Sequence, residues 1–274
     1  MTSEPEIKRP IFVVGCPRSG TNTLYYRLAK HPDLAWISNI TKKMPNSMLL
    51  TRLLMMVRKD HHPTEAKNVW RRYATADNDA RGRDDATPKA KAFFHKVVRN
   101  HLTMFDKGRF INKCPRNSVR IEFLDELFPD AFFIHMIRDG RAVANSILRA
   151  RKNHGDAYWG CEPPGWQDLA DRPMVEACGL QWKMIVEHAL DTATSIPPER
   201  YMEVRYEDMC DRPEETFRAV GEKVGLEWDD AVLRELVSDI KSRNFKWREN
   251  FKPEEVETLN SLLGDLLTKL GYDV

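Results

Sequence analysis

"FVVGCPRSGTNTLYYRLAKHPDL", residues 12–34, runs from an apolar stretch into a loop bounded by Gly15 and Gly20 and then into a helical pattern. A strand, a glycine-bounded loop and a helix in this order set successive backbone N–H groups around one point. The helix N-terminus adds partial positive charge there. Arg18 contributes a fixed cation, and Ser19, Thr21 and Thr23 contribute hydroxyl donors, so the segment reads as an anion cradle. A nucleotide triphosphatase loop carries lysine after the second glycine to hold the terminal phosphates. Here Thr21 and Asn22 stand in its place. Such a loop is a poor site for a γ-phosphate, and glycines at this spacing also serve turn geometry alone.

The rest of the chain fits an α/β protein. "PIFVVG" (10–15) has the continuous apolar character of a buried parallel strand. "RFINK" (109–113) precedes a helix from about Ser118 to Phe128, "AFFIHMIRD" (131–139) precedes one from Gly140 to about Lys152, and "RYMEVRYED" (200–208) precedes helices near 213–225 and 229–239. The alternation predicts a P-loop-type, doubly wound parallel sheet with helices on both faces. Further helices are expected over 21–30, 46–59 and 88–106, the last with Pro88 in its first turn. The polar stretch 60–88 is expected to be loop-rich and mobile, and 153–173 to be an inserted surface loop. No linker or repeat divides the chain, so residues 1–274 are expected to form one domain.

Composition narrows the function. The chain has 274 residues, 42% hydrophobic and 31% charged, with a formal net charge of +2. No global field calls for nucleic acid, although local basic sites for a small anion remain. Cys16, Cys114, Cys161, Cys178 and Cys210 are scattered, odd in number and without a CxxC pair. They read as free thiols of a reducing compartment, with no disulfide or zinc framework and no metal site. "MTSEPEIKRP" lacks the apolar region of a signal peptide, and "MLLTRLLMMV" (48–57) is too short to span a bilayer. The expectation is a cytoplasmic protein.

A second strand–turn–helix, "FFIHMIRDGRAVANSI" (132–147), puts Arg138 at a strand end and Ser146 inside the following helix. In a doubly wound sheet the strand C-termini share one ligand-binding edge. Two anion-competent turns on that edge point to a ligand with two phosphate-bearing ends. The alternative is an ordinary ion pair of Arg138 with Asp139 or Glu122.

"GCPRSGTNTL" together with "IRDGRAVANSI" resembles the two cofactor signatures of the sulfotransferases, which use 3′-phosphoadenosine 5′-phosphosulfate. The first motif resembles the 5′-phosphosulfate loop and the second the 3′-phosphate site, Arg138 and Ser146 keeping the family's spacing of eight. "INKCP" (111–115) resembles the lysine segment and "VRYEDM" (204–209) the tyrosine-bearing strand end. "FKWRENFKPEEVETLNSLLGDLLTKLGYDV" (245–274) is similar to the tail of the tyrosylprotein sulfotransferases. Residues 40–105 and 153–175 match poorly and are expected to be insertions. The resemblance implies sulfonate transfer to a hydroxyl acceptor (small molecule, sugar, lipid or peptide) without a metal. It implies Lys113 and Arg18 as the catalytic residues. It implies a cofactor-binding set of Arg18, Ser19, Gly20, Thr21, Asn22, Thr23, Arg138, Ser146, Tyr206 and Lys246. The competing readings are a P-loop kinase or nucleotide hydrolase and a non-catalytic nucleotide-binding protein of the same fold.

The resemblance leaves the catalytic base open. Ser38 and Asn39 stand where a tyrosylprotein-type glutamate is expected, and Pro115 stands where the cytosolic enzymes carry histidine. His61 and His62 are candidate bases. His135 is expected to be a core residue, and His31 to lie at a helix end. Tyr158, Trp159 and Trp166, with Pro163 and Pro164, form either an acceptor wall or anchors for their loop.

Overall fold

A computed structural model describes residues 4–57, 61–73, 77–154 and 160–274. Five strands form the sheet: β1 (Ile11–Val14), β2 (Leu34–Ala35), β3 (Arg109–Lys113), β4 (Phe132–Ile137) and β5 (Tyr201–Arg205). Their order is β2-β3-β1-β4-β5, and every pairing is parallel, with Val13 opposite Lys113 on one side and Ile134 on the other. The helices are α1 (Thr21–Leu28), α2 (Met48–Val57), α3 (Lys67–Trp70), α4 (Pro88–Phe105), α5 (Ile121–Leu127) and α6 (Gly140–His154). They continue as α7 (Met174–Ala193), α8 (Tyr206–Asp211), α9 (Pro213–Val224), α10 (Asp230–Val237), α11 (Lys246–Asn250) and α12 (Pro253–Lys269).

The strands read as apolar runs because both faces are covered. Successive side chains point to opposite faces of a strand. Phe12 and Val14 accordingly join Phe110 and Phe133 under α4 and α5, while Ile11 and Val13 join Ile111, Ile134 and Met136 under α1, α9 and α10. A third apolar cluster ties α6, α7 and α12 together through Val143, Ile147, Trp182, Ile185, Leu259 and Leu263. The expected fold class is the observed one.

The stretch 60–88 is irregular as expected, but its described part is not a mobile cover. Trp70 is buried, stacks on Phe94 at a 5.0 Å centroid distance and meets Phe12 edge-on at 5.7 Å. Asp79 is buried as well and receives Arg116 and Arg120. Burying these charges requires such pairing. The described part of 153–173 docks on the same place. Glu162 donates its backbone N–H to Asp79 Oδ2 at 2.9 Å, and Trp166 and Gln167 donate side-chain N–H groups to the Asp77 carbonyl. Trp166 is therefore an anchor. Tyr158 and Trp159 lie outside the described residues. Among the described residues no helix is long and apolar enough to cross a membrane. All five cysteines are unbridged.

Candidate active site

The three strands that end at the site are neighbours in the sheet. β3 delivers Lys113, β1 delivers the loop 15–20, and β4 delivers Arg138. Adjacent strands lie ~4.8 Å apart, so the three ends share a short stretch of the C-terminal edge, where open α/β sheets bind ligands.

The loop is shaped by close approach. Gly15 (φ +140°) is pinned by Ser118, whose hydroxyl accepts from its N–H and donates to its carbonyl, both at 2.8 Å. A Cβ on Gly15 would stand 2.5 Å from the Met136 carbonyl oxygen. Gly20 (φ +91°) lies against the Tyr206 ring and caps α1 without a side chain. The first-turn N–H groups of α1, on Thr21, Asn22 and Thr23, thus receive no side-chain cap. Orphan N–H groups at a helix start are a ready anion site. Ser19 is buried with its hydroxyl unpartnered. A buried, unsatisfied hydroxyl beside uncapped N–H groups is what a phosphosulfate-binding loop requires, so these residues fit the expected donor.

Arg138 and Ser146 come together through Arg18. The Arg18 Nε–H donates to Ser146 Oγ at 3.0 Å, while the Arg18 carbonyl accepts from Arg138 Nη1 at 2.9 Å. Arg18 itself is exposed and left-handed (φ +74°). Its contacts run to Ser146 and Arg138. Arg138 is buried, lies 4.1 Å over the Tyr206 ring and donates also to Asn244 Oδ1 and the Arg243 carbonyl. The ordinary ion pair with Asp139 does not form: Asp139 is held by Arg141 at 3.0 Å. Glu122 lies 3.9 Å from Arg83. Tyr206 accepts the Arg243 N–H on its hydroxyl, and Lys246 begins α11, two residues beyond Asn244.

Glu207 organises this end, although the sequence reading took only the neighbouring tyrosine from its motif. Its carboxylate accepts from the Asp139 N–H, from Asn244 Nδ2 at 2.9 Å and from the Tyr272 hydroxyl at 3.0 Å. Arg138 therefore rests on Asn244, which rests on Glu207, which is fastened to the C-terminal tail.

Lys113 is nearly fully buried and contacts Glu65 through Nζ; Lys67 reaches the other Glu65 oxygen at 3.1 Å. Burial pushes Lys113 below the usual lysine range, and Glu65 pulls the other way. Burial raises Glu65, but Lys113 and Lys67 outweigh it and hold the carboxyl below its ordinary range. Glu65 lies in the polar stretch where sequence reading gave weight only to histidines.

The other candidates are accounted for. His135 is buried, contacts the Tyr201 hydroxyl at 2.7 Å and is pushed down to about 4 by burial. His31, in the turn just beyond α1, contacts the Glu227 carbonyl at 2.9 Å. His61 and His62 line, with Tyr26, Trp36, Pro63 and Phe105, a largely apolar cleft of about 690 Å³. Among the described residues no cluster of His, Cys, Asp and Glu has the makings of a metal site.

The sulfotransferase family model matches residues 10–230, the 40–105 stretch included. The chain is 27% identical to protein-tyrosine sulfotransferase A of Caenorhabditis elegans over 284 residues, covering 96% of this chain and 67% of that protein. It is 26% identical to the nodulation protein NoeE of Sinorhizobium fredii, covering 96% and 65%. It thus spans about two thirds of the length of these relatives. The omega-hydroxy-beta-dihydromenaquinone-9 sulfotransferase Stf3 of Mycobacterium bovis is 25% identical, with coverages of 96% and 75%. Among solved structures, the fold is similar to sulfotransferase STF9 of Mycobacterium avium (TM-score 0.66, 17% identity, 98% and 78% covered). It is similar also to mouse sulfotransferase SULT7A1 complexed with PAP (TM-score 0.52, 12% identity, 97% and 86% covered). With a family match over most of its length and the edge that the family's motifs describe, the chain belongs to the sulfotransferase family.

Proposed function

We propose that this protein transfers a sulfonate from 3′-phosphoadenosine 5′-phosphosulfate to a hydroxyl acceptor. The carrying observation is the order of three adjacent strand ends: Lys113, the lysine-free loop, then Arg138. A donor bound across them has its 3′-phosphate against Arg138 and Ser146, with Arg18, Tyr206 and Lys246 nearby. Its 5′ end lies in the cradle of Ser19, Gly20, Thr21, Asn22 and Thr23. When bound, the donor supplies an activated sulfonate and a phosphate leaving group. The protein supplies position and charge. Clamping both ends fixes the line of attack. The Lys113 ammonium, held in a buried setting, opposes charge that grows on the leaving oxygen, where such stabilisation is worth most.

The cleft lined by residues 61–63 supports an acceptor with an aromatic or alkyl body. Ligand clefts are apolar with few polar groups, and Tyr26, Trp36, Pro63 and Phe105 supply that lining here. The relatives named for protein tyrosine and for a hydroxylated menaquinone carry acceptors of both kinds.

The test is turnover of labelled donor against phenol, N-acetyltyrosinamide, 1-decanol and glucose, with EDTA present. Transfer to one of these is the expected result. Lys113→Ala should lower it by about 10²–10³-fold, the scale of a lost transition-state donor, while bisphosphate affinity changes little. Bisphosphate binding with neither transfer nor donor hydrolysis would make the protein a nucleotide binder of this fold.

A further inference from the structure

The position that carries a carboxylate base in the tyrosylprotein-type motif is filled here by Ser38 and Asn39, and neither can act as one. Ser38 is fully buried, and its hydroxyl accepts the N–H groups of Ile40 and Thr41 at 3.1 and 2.9 Å. Asn39 is engaged with His62 through both its backbone N–H and its side-chain oxygen. The segment that pairs with this stretch brings a different carboxylate. Ser38 bridges Pro63 in antiparallel fashion, and the Thr64 N–H donates to the Ile37 carbonyl at 2.9 Å. The Thr64 carbonyl in turn accepts the Tyr25 hydroxyl of α1 at 3.2 Å. Thr64 is thus fixed between the end of β2 and α1, and the next residue is Glu65.

Ala66 then takes a left-handed conformation (φ 49°, ψ 42°) and buries its methyl in the core. A non-glycine residue there is strained, and such strain gathers at functional sites. The reversal turns Glu65 back onto Lys113. The two side chains differ in access: the lysine is 4% exposed and the carboxylate 18%. Glu65 therefore lies on the open side of the pair, with Lys113 behind it. Lys67, Tyr25, Tyr26 and Cys114 are the other titratable groups close to it.

We propose that Glu65 is the general base that takes the proton of the acceptor hydroxyl. The inference rests on the sulfonate-transfer reading above. The acceptor O–H bond breaks as its proton passes to a Glu65 oxygen, and the acceptor oxygen forms the new bond to sulfur. The bond from sulfur to the 5′-phosphate oxygen breaks, and its electron pair leaves with the bisphosphate. Glu65 then gives its proton to solvent through its exposed side. Lys113 couples the two halves. Paired with Lys113, the carboxylate is ionised but weakly basic. As the ammonium turns toward charge developing on the leaving oxygen, Glu65 loses part of its counter-charge and gains basicity when the proton must move.

The decisive comparison is wild type against Glu65→Gln and Glu65→Asp. The glutamine oxygen still accepts a hydrogen bond from Lys113 but cannot take a proton at neutral pH. Each protein is given labelled donor with phenol, with the far more acidic 4-nitrophenol, with the acceptors named above, and with water alone, read as bisphosphate release. Glu65→Gln should lose about 10²-fold or more with phenol, with alcohols and in donor hydrolysis, and much less with 4-nitrophenol. Bisphosphate affinity should stay within about 3-fold, since ligand clamping does not use Glu65. Glu65→Asp should recover part of the rate, because a shorter carboxylate still accepts a proton. Wild-type rates in Glu65→Gln, or an equal loss with all acceptors accompanied by lost bisphosphate affinity, would overturn the assignment. A wild-type protein with neither transfer nor donor hydrolysis would instead sink the sulfonate-transfer reading, and this inference with it.

Discussion

Gly20→Ala tests whether the loop is held by the packing described. At φ +91° and ψ 4° an L-residue pays about 1–2 kcal/mol for the left-handed backbone. The new Cβ would stand 2.4 Å from Tyr206 Cδ2 and 3.0 Å from Cε2, well inside contact distance. The ring cannot simply turn away. Its hydroxyl holds the Arg243 N–H at 3.2 Å, and the Arg138 guanidinium lies 4.1 Å above it. Overpacking of this kind costs about 1–3 kcal/mol, so the total is about 2–5 kcal/mol, a large share of ordinary stability. Because the displaced ring carries Arg138, bisphosphate affinity should fall by about tenfold or more. Urea unfolding and calorimetry measure the two losses. A cycle with Tyr206→Ala separates them: removing the ring should cancel the packing part of the Gly20→Ala penalty, a coupling of about 1–3 kcal/mol. If the penalty is the same with and without the ring, the contact is not what shapes the loop. A total below 1 kcal/mol would refute the backbone term as well.

Arg138→Ala should weaken bisphosphate binding by about 1.5–3 kcal/mol, the scale of a hydrogen bond to a charged group, and Ser146→Ala should cost less; unchanged affinity in a folded Arg138→Ala protein would remove Arg138 from the clamp. Acid should destabilise the fold before the carboxylates titrate. His101 and His135 are both pushed down to about 4 by burial, so the unfolded chain, with histidines near 6.5, binds more protons between those values. Their contribution, on the order of 3 kcal/mol each, is fully present above about pH 6.5 and is lost as pH falls toward 4. Urea midpoints followed from pH 7.5 to 4.5 should fall through this window, and less steeply in His135→Gln; a flat profile would contradict buried neutral imidazoles.

What could be read from the sequence divides along physical lines. β1 and β4 were legible because a strand covered on both faces must be apolar at every position, and "IFVV" and "FFIHMI" very nearly are. The arginine at the end of β4 followed, since a strand end fixes which edge a residue reaches, whereas the lysine at the end of β3 stood out through its resemblance to the family's lysine segment. α7, twenty residues and the longest helix among the described residues, was missed. It meets α6 on one side and α12 on another, so Cys178, Gly179, Gln181, Trp182 and Ile185 are buried around much of its girth, without one apolar stripe to read. β2 has only two residues, too few for any period.

Glu65 was missed for a different reason, and the reason bears on how such sites are built. A base soon after the first helix, or two residues after the lysine, has a fixed sequence offset from its motif, and spacing can find it. Glu65 is placed by pairing between residues 27 positions apart, Ile37 with Thr64, and by a left-handed turn at an alanine, a residue type that announces no such turn. Neither leaves a local signature. Yet the pieces are held by the same elements that hold the donor loop, because Tyr25, which fixes Thr64, belongs to α1, whose first turn is the anion cradle. The loop 15–20 and the Glu65 carboxylate are thus both referred to one helix, α1.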